Sequence, residues 1–467
     1  MQSITLIQPR HIYAPDPLDE KFGHIYMPTS LLTIGSILLN AHIDVSIHDE
    51  NLNDFVINNN IIGVNLIGSP YIPYAVDLSN KLEAKFGKKN YKLILGGQVV
   101  SGLTDKQRQF LFGSDSINGN NFDALSDILN IDKKKFVSPQ KISLIEGYSK
   151  IDPNQLKLYL STEFCLYLSQ GCKFSCSFCG AHRSRFNYHT KTFSKCHEVY
   201  RDSNIILKDL EYLIQKSIDF GINKLNIYLS NLDLFQSPNL LLEFTLQVLN
   251  LRSKYKEFII NFRGLSNVRS FLRTHNNNST LIHDMVKAGL YRIGFGIDGA
   301  NPRIWKSTHK PQTLFECTET IRIARLVYGI TPELLMVFGY NNIEDENSLK
   351  HSFDFLSEMI DLYNALPRPH VAKEIIPFSD AWFQEKNRDI VNKLLNYPIL
   401  FQNLDFTAIP SEISHKDLVF RTLVTEYYLK MCELPSSLTQ FVKPIDINMS
   451  QSEIKEIKNF NLGRYDF

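Results

Sequence analysis

The sequence predicts an α/β protein: an N-terminal doubly wound (Rossmann-like) parallel sheet, then a partial (β/α)6 TIM-type barrel, then a helical C-terminal tail. Three observations carry this expectation. Short apolar strands alternate with amphipathic helices from Ile4 to Leu95, the pattern of a parallel sheet with helical crossovers. A second, longer alternation begins at Leu166. Beyond about Asn387 helical spacing continues without strands. The expected domains are 1–155, 156–385 and 386–467.

Taken in order, Ile4–Ile7 reads as a strand, and Thr29 opens a helix to Asn40 with Leu31, Leu32, Ile34, Ile37 and Leu38 on its inner face. Val45–His48 and Ile61–Ile67 are strands, the latter ending in Gly68-Ser69-Pro70. A helix over Pro73–Phe86 leads to a fourth strand, Tyr91–Leu95, which ends in Gly96-Gly97. Glycines beyond the third and fourth strands fall on the edge where open α/β sheets bind ligands, although glycine there also serves a tight turn. Residues 104–160 are less regular and close the first domain. In the second alternation the strands are Leu166–Ser169, Lys224–Leu229, Phe258–Phe262, Arg292–Ile297, Leu334–Phe338 and Val371–Ile376. Its helices are Ser203–Phe220, Pro238–Arg252, Ser279–Ala288, Thr313–Tyr328 and Asp345–Asp361. Such an array places its site at the strand carboxyl ends. In the tail, Phe420, Leu423, Val424, Tyr427 and Met431 recur at helical spacing over His415–Cys432.

Composition excludes several classes. Lys and Arg number 50 and Asp and Glu 49, a balance of +1 that lacks the basic excess of a nucleic-acid binder. No apolar run reaches the roughly 18 residues of a transmembrane helix. The first residues lack a basic segment followed by an apolar one, so no secretory signal is expected. The seven cysteines are odd in number, and residues 1–164 contain none. They imply a reducing, cytoplasmic setting and one local cluster rather than a disulfide framework.

That cluster is Cys172, Cys176 and Cys179, a C-x3-C-x2-C spacing on the loop after Leu166–Ser169. Thiolates select zinc or iron–sulfur clusters. With four irons and three thiolates, one iron keeps a position for a small molecule. Zinc needs a fourth ligand, for which His182, Cys165 or Cys196 is available. Unconnected thiols are the third reading.

The run Tyr167-Leu168-Ser169-Gln170-Gly171-Cys172-Lys173-Phe174-Ser175-Cys176-Ser177-Phe178-Cys179 resembles the signature of the radical S-adenosylmethionine (radical SAM) enzymes, including the aromatic Phe178 and the glycine before the first cysteine. The resemblance implies a [4Fe-4S] cluster whose open iron binds the amino and carboxylate groups of S-adenosylmethionine, and a reductive cleavage to a 5′-deoxyadenosyl radical or a related step. It also implies that Asn231 and Asp233 meet the methionine amino group, that Arg263 pairs with the carboxylate and that Asp298 contacts the ribose. An Asx turn, a surface ion pair and an Asp-Gly turn are the respective structural alternatives. In Gly294-Phe295-Gly296-Ile297-Asp298-Gly299 the family's usual Glu and Ser are replaced by Asp298 and Gly299. Val337-Phe338-Gly339-Tyr340 lacks the proline that usually follows.

The N-terminal third resembles the cobalamin-binding domain of one branch of that family, through Pro28-Thr29-Ser30-Leu31-Leu32, Val45 to Asn51, Gly63 to Ser69 and Leu95-Gly96-Gly97. By this resemblance Gly68, Ser69, Gly96, Gly97 and Gln98 meet the cofactor. The family's cobalt-ligating motif, Asp-x-His-x-x-Gly, is reduced here to His11 without its Asp and Gly, so a histidine-ligated cobalt is not expected. The implied function is cobalamin-dependent methyl transfer to an unactivated carbon of a small molecule or peptide. An electron donor such as flavodoxin or ferredoxin is expected as a partner; no nucleic acid or membrane is. A radical rearrangement, cyclisation or oxidation on the same scaffold is the alternative, and a zinc-stabilised binding protein the remote one.

Overall fold

The computed structural model describes residues 3–10, 27–120, 122–180, 186–187, 192–193, 198–340, 343–371, 375–402 and 450–452. His11, His182, Cys196 and the expected helix 415–432 lie outside the described residues.

The first domain runs β1 (Ser3–Gln8), α1 (Thr29–Asn40), β2 (Asp44–Asp49), β3 (Ile61–Asn65), α2 (Ile72–Phe86), β4 (Lys92–Gly96), α3 (Gln98–Gly102), α4 (Asp105–Phe112), β5 (Ser116–Asn118) and α5 (Phe122–Leu129). Its five strands are all parallel in the order β2-β1-β3-β4-β5. The strand order reverses between β1 and β3, so the crevice for a ligand opens beyond their carboxyl ends. β5 was not expected, because Gly113 to Asn121 reads as loop; it survives as three residues paired with β4.

α6 (Ile145–Ser149) and α7 (Pro153–Ser161) carry the chain to the second sheet. Asp152 caps α7 by accepting from the amides of Asn154 and Gln155. The second unit comprises β6 (Glu163–Tyr167), the short strands β7 (Ser169–Gln170), β8 (Phe186–Asn187), β9 (Thr192–Phe193) and β10 (Val199–Tyr200), then α8 (Ser203–Asp219), β11 (Lys224–Ser230), α9 (Pro238–Lys254), β12 (Ile259–Ser266), α10 (Val268–Ala288), β13 (Leu290–Gly296), α11 (Pro302–Ser307), α12 (Leu314–Leu326), β14 (Thr331–Phe338), α13 (Glu346–Tyr363) and β15 (Leu366–Val371). Six parallel strands stand in sequence order, β6-β11-β12-β13-β14-β15, as the partial barrel expected. Their outward residues, such as Leu166, Ile227, Phe262, Phe295 and Met336, are buried against the helices in one core.

Two differences have clear causes. The sixth strand is Leu366–Val371, so it begins before the expected Val371; residues 372–374 of the expected Val371–Ile376 lie outside the described residues. Pro367 and Pro369 argue against a strand, yet β15 is an edge strand, and prolines two apart place both missing N–H groups on one side of it. α10 begins at Val268, well before the expected Ser279, because two helices meet across a kink at Asn278.

The units share packing. Leu32 and Ile37 of α1 lie in the barrel core, and the Thr29 hydroxyl donates to the Cys165 carbonyl at 3.1 Å. After β15 the chain returns to the first sheet: Ile375, Trp382, Leu400 and, from α14 (Arg388–Asn396), Ile390, Val391 and Leu394 are buried with Ile62, Val64, Tyr71, Ile72 and Val100. The described part of the tail thus completes a layer of the first domain. Among the described residues no helix is long and apolar enough to cross a membrane.

Candidate active site

The loop after β7 carries Cys172, Cys176 and Cys179 at the carboxyl mouth of the barrel. Gly171 opens it with φ +98°, a conformation that favours glycine. Gln236 holds the first cysteine from both sides: its Nε2 donates to the Gly171 carbonyl at 3.1 Å and its Oε1 accepts from the Lys173 amide at 3.2 Å. Further along, the Ser177 amide donates to the Thr308 carbonyl at 3.1 Å and the Ser177 carbonyl accepts from the Asp380 amide at 3.0 Å. The Cys179 amide closes a turn onto the Cys176 carbonyl at 3.0 Å. The loop is therefore clamped by the β11–α9 connection, the β13–α12 connection and the returning chain.

Cys176 is buried and Cys172 half-buried. Burial pushes their thiols up to about 11 and about 12; Cys179 adds to the rise at both, and Cys176 adds to it at Cys172. Lys310 opposes it at Cys176. Three thiols in one another's field ionise together only when a cationic centre joins them. Among the described residues no three His, Cys, Asp or Glu side chains close on a point as ligands of one ion do. Phe178 is half-buried on the same loop, between Cys176 and Cys179.

The other expected ligands divide. Asn231, just past β11, is 4 % exposed, and neither its Nδ2 nor its Oδ1 has a hydrogen-bond partner. An amide so buried at the mouth of the barrel is a donor and acceptor waiting for a guest. Asp233 is turned inward, where it accepts from the hydroxyls of Ser266 at 3.3 Å and Ser270 at 2.6 Å and from the Asn267 amide at 3.1 Å. It ties the start of α10 to the sheet, and burial raises its pKa. Arg263 is the fifth of the eight residues of β12, not its last. Its Nε and Nη2 donate to the two oxygens of Glu163, both at 2.5 Å, and its guanidinium lies 4.5 Å from the Tyr228 ring centre. Glu333 stands beside them, 3.8 Å from Arg263, 3.1 Å from Arg292 and 3.4 Å from Arg368. Arg263 thus pairs with an internal carboxylate, three residues below the end of the strand.

Asp298 adopts φ +50° ahead of Gly299 at +85°, the Asp-Gly turn that was the structural alternative. Its carboxylate pairs with Lys310, a residue whose field also reaches Cys176. Glu344, beyond β14, accepts the Gly339 and Tyr340 amides on Oε2 at 2.6 and 3.0 Å, while its buried Oε1 is unpartnered. This stands in for the turn that the absent proline would otherwise fix. Burial raises the Glu344 pKa from 4.5 to about 7. Between those two pH values the unfolded chain ionises the group first, so the fold loses stability as pH rises, and above about 7 the loss is complete. We expect Glu344→Gln to remove a slope worth about 3 kcal/mol, measured by denaturant unfolding at pH 5 and pH 8; an unchanged slope would mean that Glu344 is not its source.

On the first sheet, Gly97 has φ +101°, and a Cβ there would stand 2.8 Å from the Leu66 carbonyl carbon. Asn120 fixes its backbone, accepting from the Gly97 amide at 3.0 Å and donating to its carbonyl at 2.8 Å. Gly96 has only ordinary contacts, Gly68 is half-exposed and Ser69 is 4 % exposed. Between buried Leu66 and half-exposed Gly68, Ile67 is 52 % exposed beyond the carboxyl end of β3. Gln98, first residue of α3, reaches across to the cluster loop at Gly180. The role of Gln236 carried no sequence signal, since its partners Gly171 and Lys173 are more than about sixty residues away; Lys310 and Glu344 have nearer partners, but no motif marks them.

No family model and no curated protein matches the sequence. Among solved structures the chain is similar to the cobalamin-dependent S-adenosylmethionine radical enzyme OxsB with aqua-cobalamin and S-adenosylmethionine bound, at TM-score 0.55 and 14 % identity over 93 % of this chain and 62 % of that one. Its apo, selenomethionine-labelled form matches at TM-score 0.55 and 14 % identity over 76 % of this chain and 52 % of that one. The chain therefore has the fold of a cobalamin-dependent radical SAM enzyme, a doubly wound domain followed by a partial barrel. It spans no more than 62 % of the length of these OxsB chains.

Proposed function

We propose that the chain is a radical SAM enzyme whose cluster is held by Cys172, Cys176 and Cys179, and that it uses cobalamin to methylate an unactivated carbon of a small molecule or peptide in the cytoplasm. One observation carries the reading: a three-cysteine loop at the mouth of the barrel abuts the ligand edge of the first sheet. When bound, a [4Fe-4S] cluster supplies the electron that opens the sulfonium of S-adenosylmethionine, and a corrinoid supplies the methyl group. The chain contributes position. The unpartnered amide of Asn231 is a hydrogen-bonding site for the methionine end of S-adenosylmethionine, and Phe178 lies on the cysteine loop between Cys176 and Cys179. The Asp298–Lys310 pair closes the far side with a charged wall near Cys176. Gly68, Ser69, Gly96 and exposed Ile67 offer a smooth edge to the corrin. Flavodoxin or ferredoxin is the kind of donor that would supply the electron.

The test is binding of S-adenosylmethionine to anaerobically reconstituted protein. A hydrogen bond to a charged group is worth about 1.5–3 kcal/mol, so Asn231→Ala should weaken binding roughly ten- to a hundredfold with iron content unchanged. Equal affinity in the variant would remove Asn231 from the site. Production of 5′-deoxyadenosine without any methylated product would favour a radical rearrangement or oxidation.

A further inference from the structure

We propose that Gln98 is a positioning residue that couples the ligand edge of the first sheet to the cluster loop, with α3 as a short lever between the two cofactor sites; the proposal rests on the function just given. Both ends of α3 touch the loop system. At its start, the Gln98 carboxamide fills the space beside Gly180, the residue after Cys179. A Cβ on Gly180 would overlap the Gln98 amide nitrogen and stand 2.8 Å from the Gln98 Cδ and 2.8 Å from the Phe378 ring. At its other end, Gly102 lies so close to Pro377 that a Cβ would overlap the Pro377 carbonyl and stand 2.8 Å from the Phe378 amide. Two residues on, the Asp380 amide donates to the Ser177 carbonyl, between Cys176 and Cys179.

The lever is also fixed on the side of the first sheet. Gly97, which precedes Gln98, is held by Asn120 and against Leu66. Asn120 also donates to the Ser101 hydroxyl within α3 at 2.9 Å. A corrinoid seated against Gly97 and Ile67 cannot shift that backbone without moving Gln98 and Phe378, both of which press on Gly180. The reverse holds as well: filling the cluster fixes Cys179 and so sets where the Gln98 carboxamide lies. Coupling of this kind is reciprocal, so it is readable from either site.

The experiment compares the affinity of hydroxocobalamin for the full chain with and without its reconstituted cluster, by equilibrium dialysis. In the native chain the cluster should tighten corrinoid binding at least about fivefold, the lower end of typical coupling between sites. In Gln98→Ala that factor should fall to about one, with iron per chain unchanged because the substitution lies in the first domain. Gly180→Ala, which evicts the same carboxamide, should behave as Gln98→Ala does, and the double variant should be no worse than either alone. If Gly180→Ala takes up no iron, Gln98→Ala decides alone. A cluster-dependent factor equal in the native chain and Gln98→Ala overturns the coupling, as does corrinoid binding to which the cluster makes no difference. A native chain that binds no corrinoid with or without cluster overturns the functional reading as well.

Discussion

Replacement of Cys172, Cys176 or Cys179 by Ala is expected to abolish iron retention and, with it, reductive cleavage of S-adenosylmethionine to the level of a protein-free control. The loop that carries them is already pinned by Gln236, Thr308 and Asp380, so removing a thiol should leave the barrel folded. Cys317→Ala is the contrasting case. That thiol is fully buried in the barrel core, and burial pushes it up to about 12. Its loss costs packing, about 1 kcal/mol of stability, and no iron. Iron analysis and 5′-deoxyadenosine formation, measured together on all four variants, check both halves. A cysteine variant of the loop that retained iron and cleavage would exclude that thiol as a ligand.

The second large effect is on stability. Arg263→Ala removes the bidentate partner of Glu163 and weakens the surroundings of Glu333, both buried carboxylates. Breaking a buried pair from one side typically costs about 3–5 kcal/mol. The melting temperature should fall by several degrees, while Glu163→Gln, which leaves the cation hydrogen-bonded to a neutral amide, should lower it less. A normal melting curve together with lost affinity for S-adenosylmethionine would return Arg263 to the ligand site and remove it from the structural network.

These two cases show where the sequence was legible. The cysteine spacing is local, and local patterns survive unaltered into three dimensions. The parallel alternation likewise gave each strand of the first sheet except β5, whose three residues are shorter than any periodicity can reveal. The ion pair of Arg263 was not legible because its partner, Glu163, is a hundred positions away in sequence, and nothing near Arg263 marks the strand as continuing through Ser266. The partners of Asp233 were hidden for a similar reason: Ser266, Asn267 and Ser270 come from the next strand and helix. The return of Ile375, Trp382 and Leu394 to the first sheet was invisible, since an apolar residue states that it will be buried but not against what. Gln98 was singled out as a cofactor neighbour, but its contact with Gly180 left no trace in the sequence.

The central claim is that the three cysteines hold a four-iron cluster, and the most direct measurement is iron, acid-labile sulfide and zinc per chain in anaerobically purified protein. The account predicts about four irons and about four sulfides, with no stoichiometric zinc. One zinc per chain and no sulfide would contradict it.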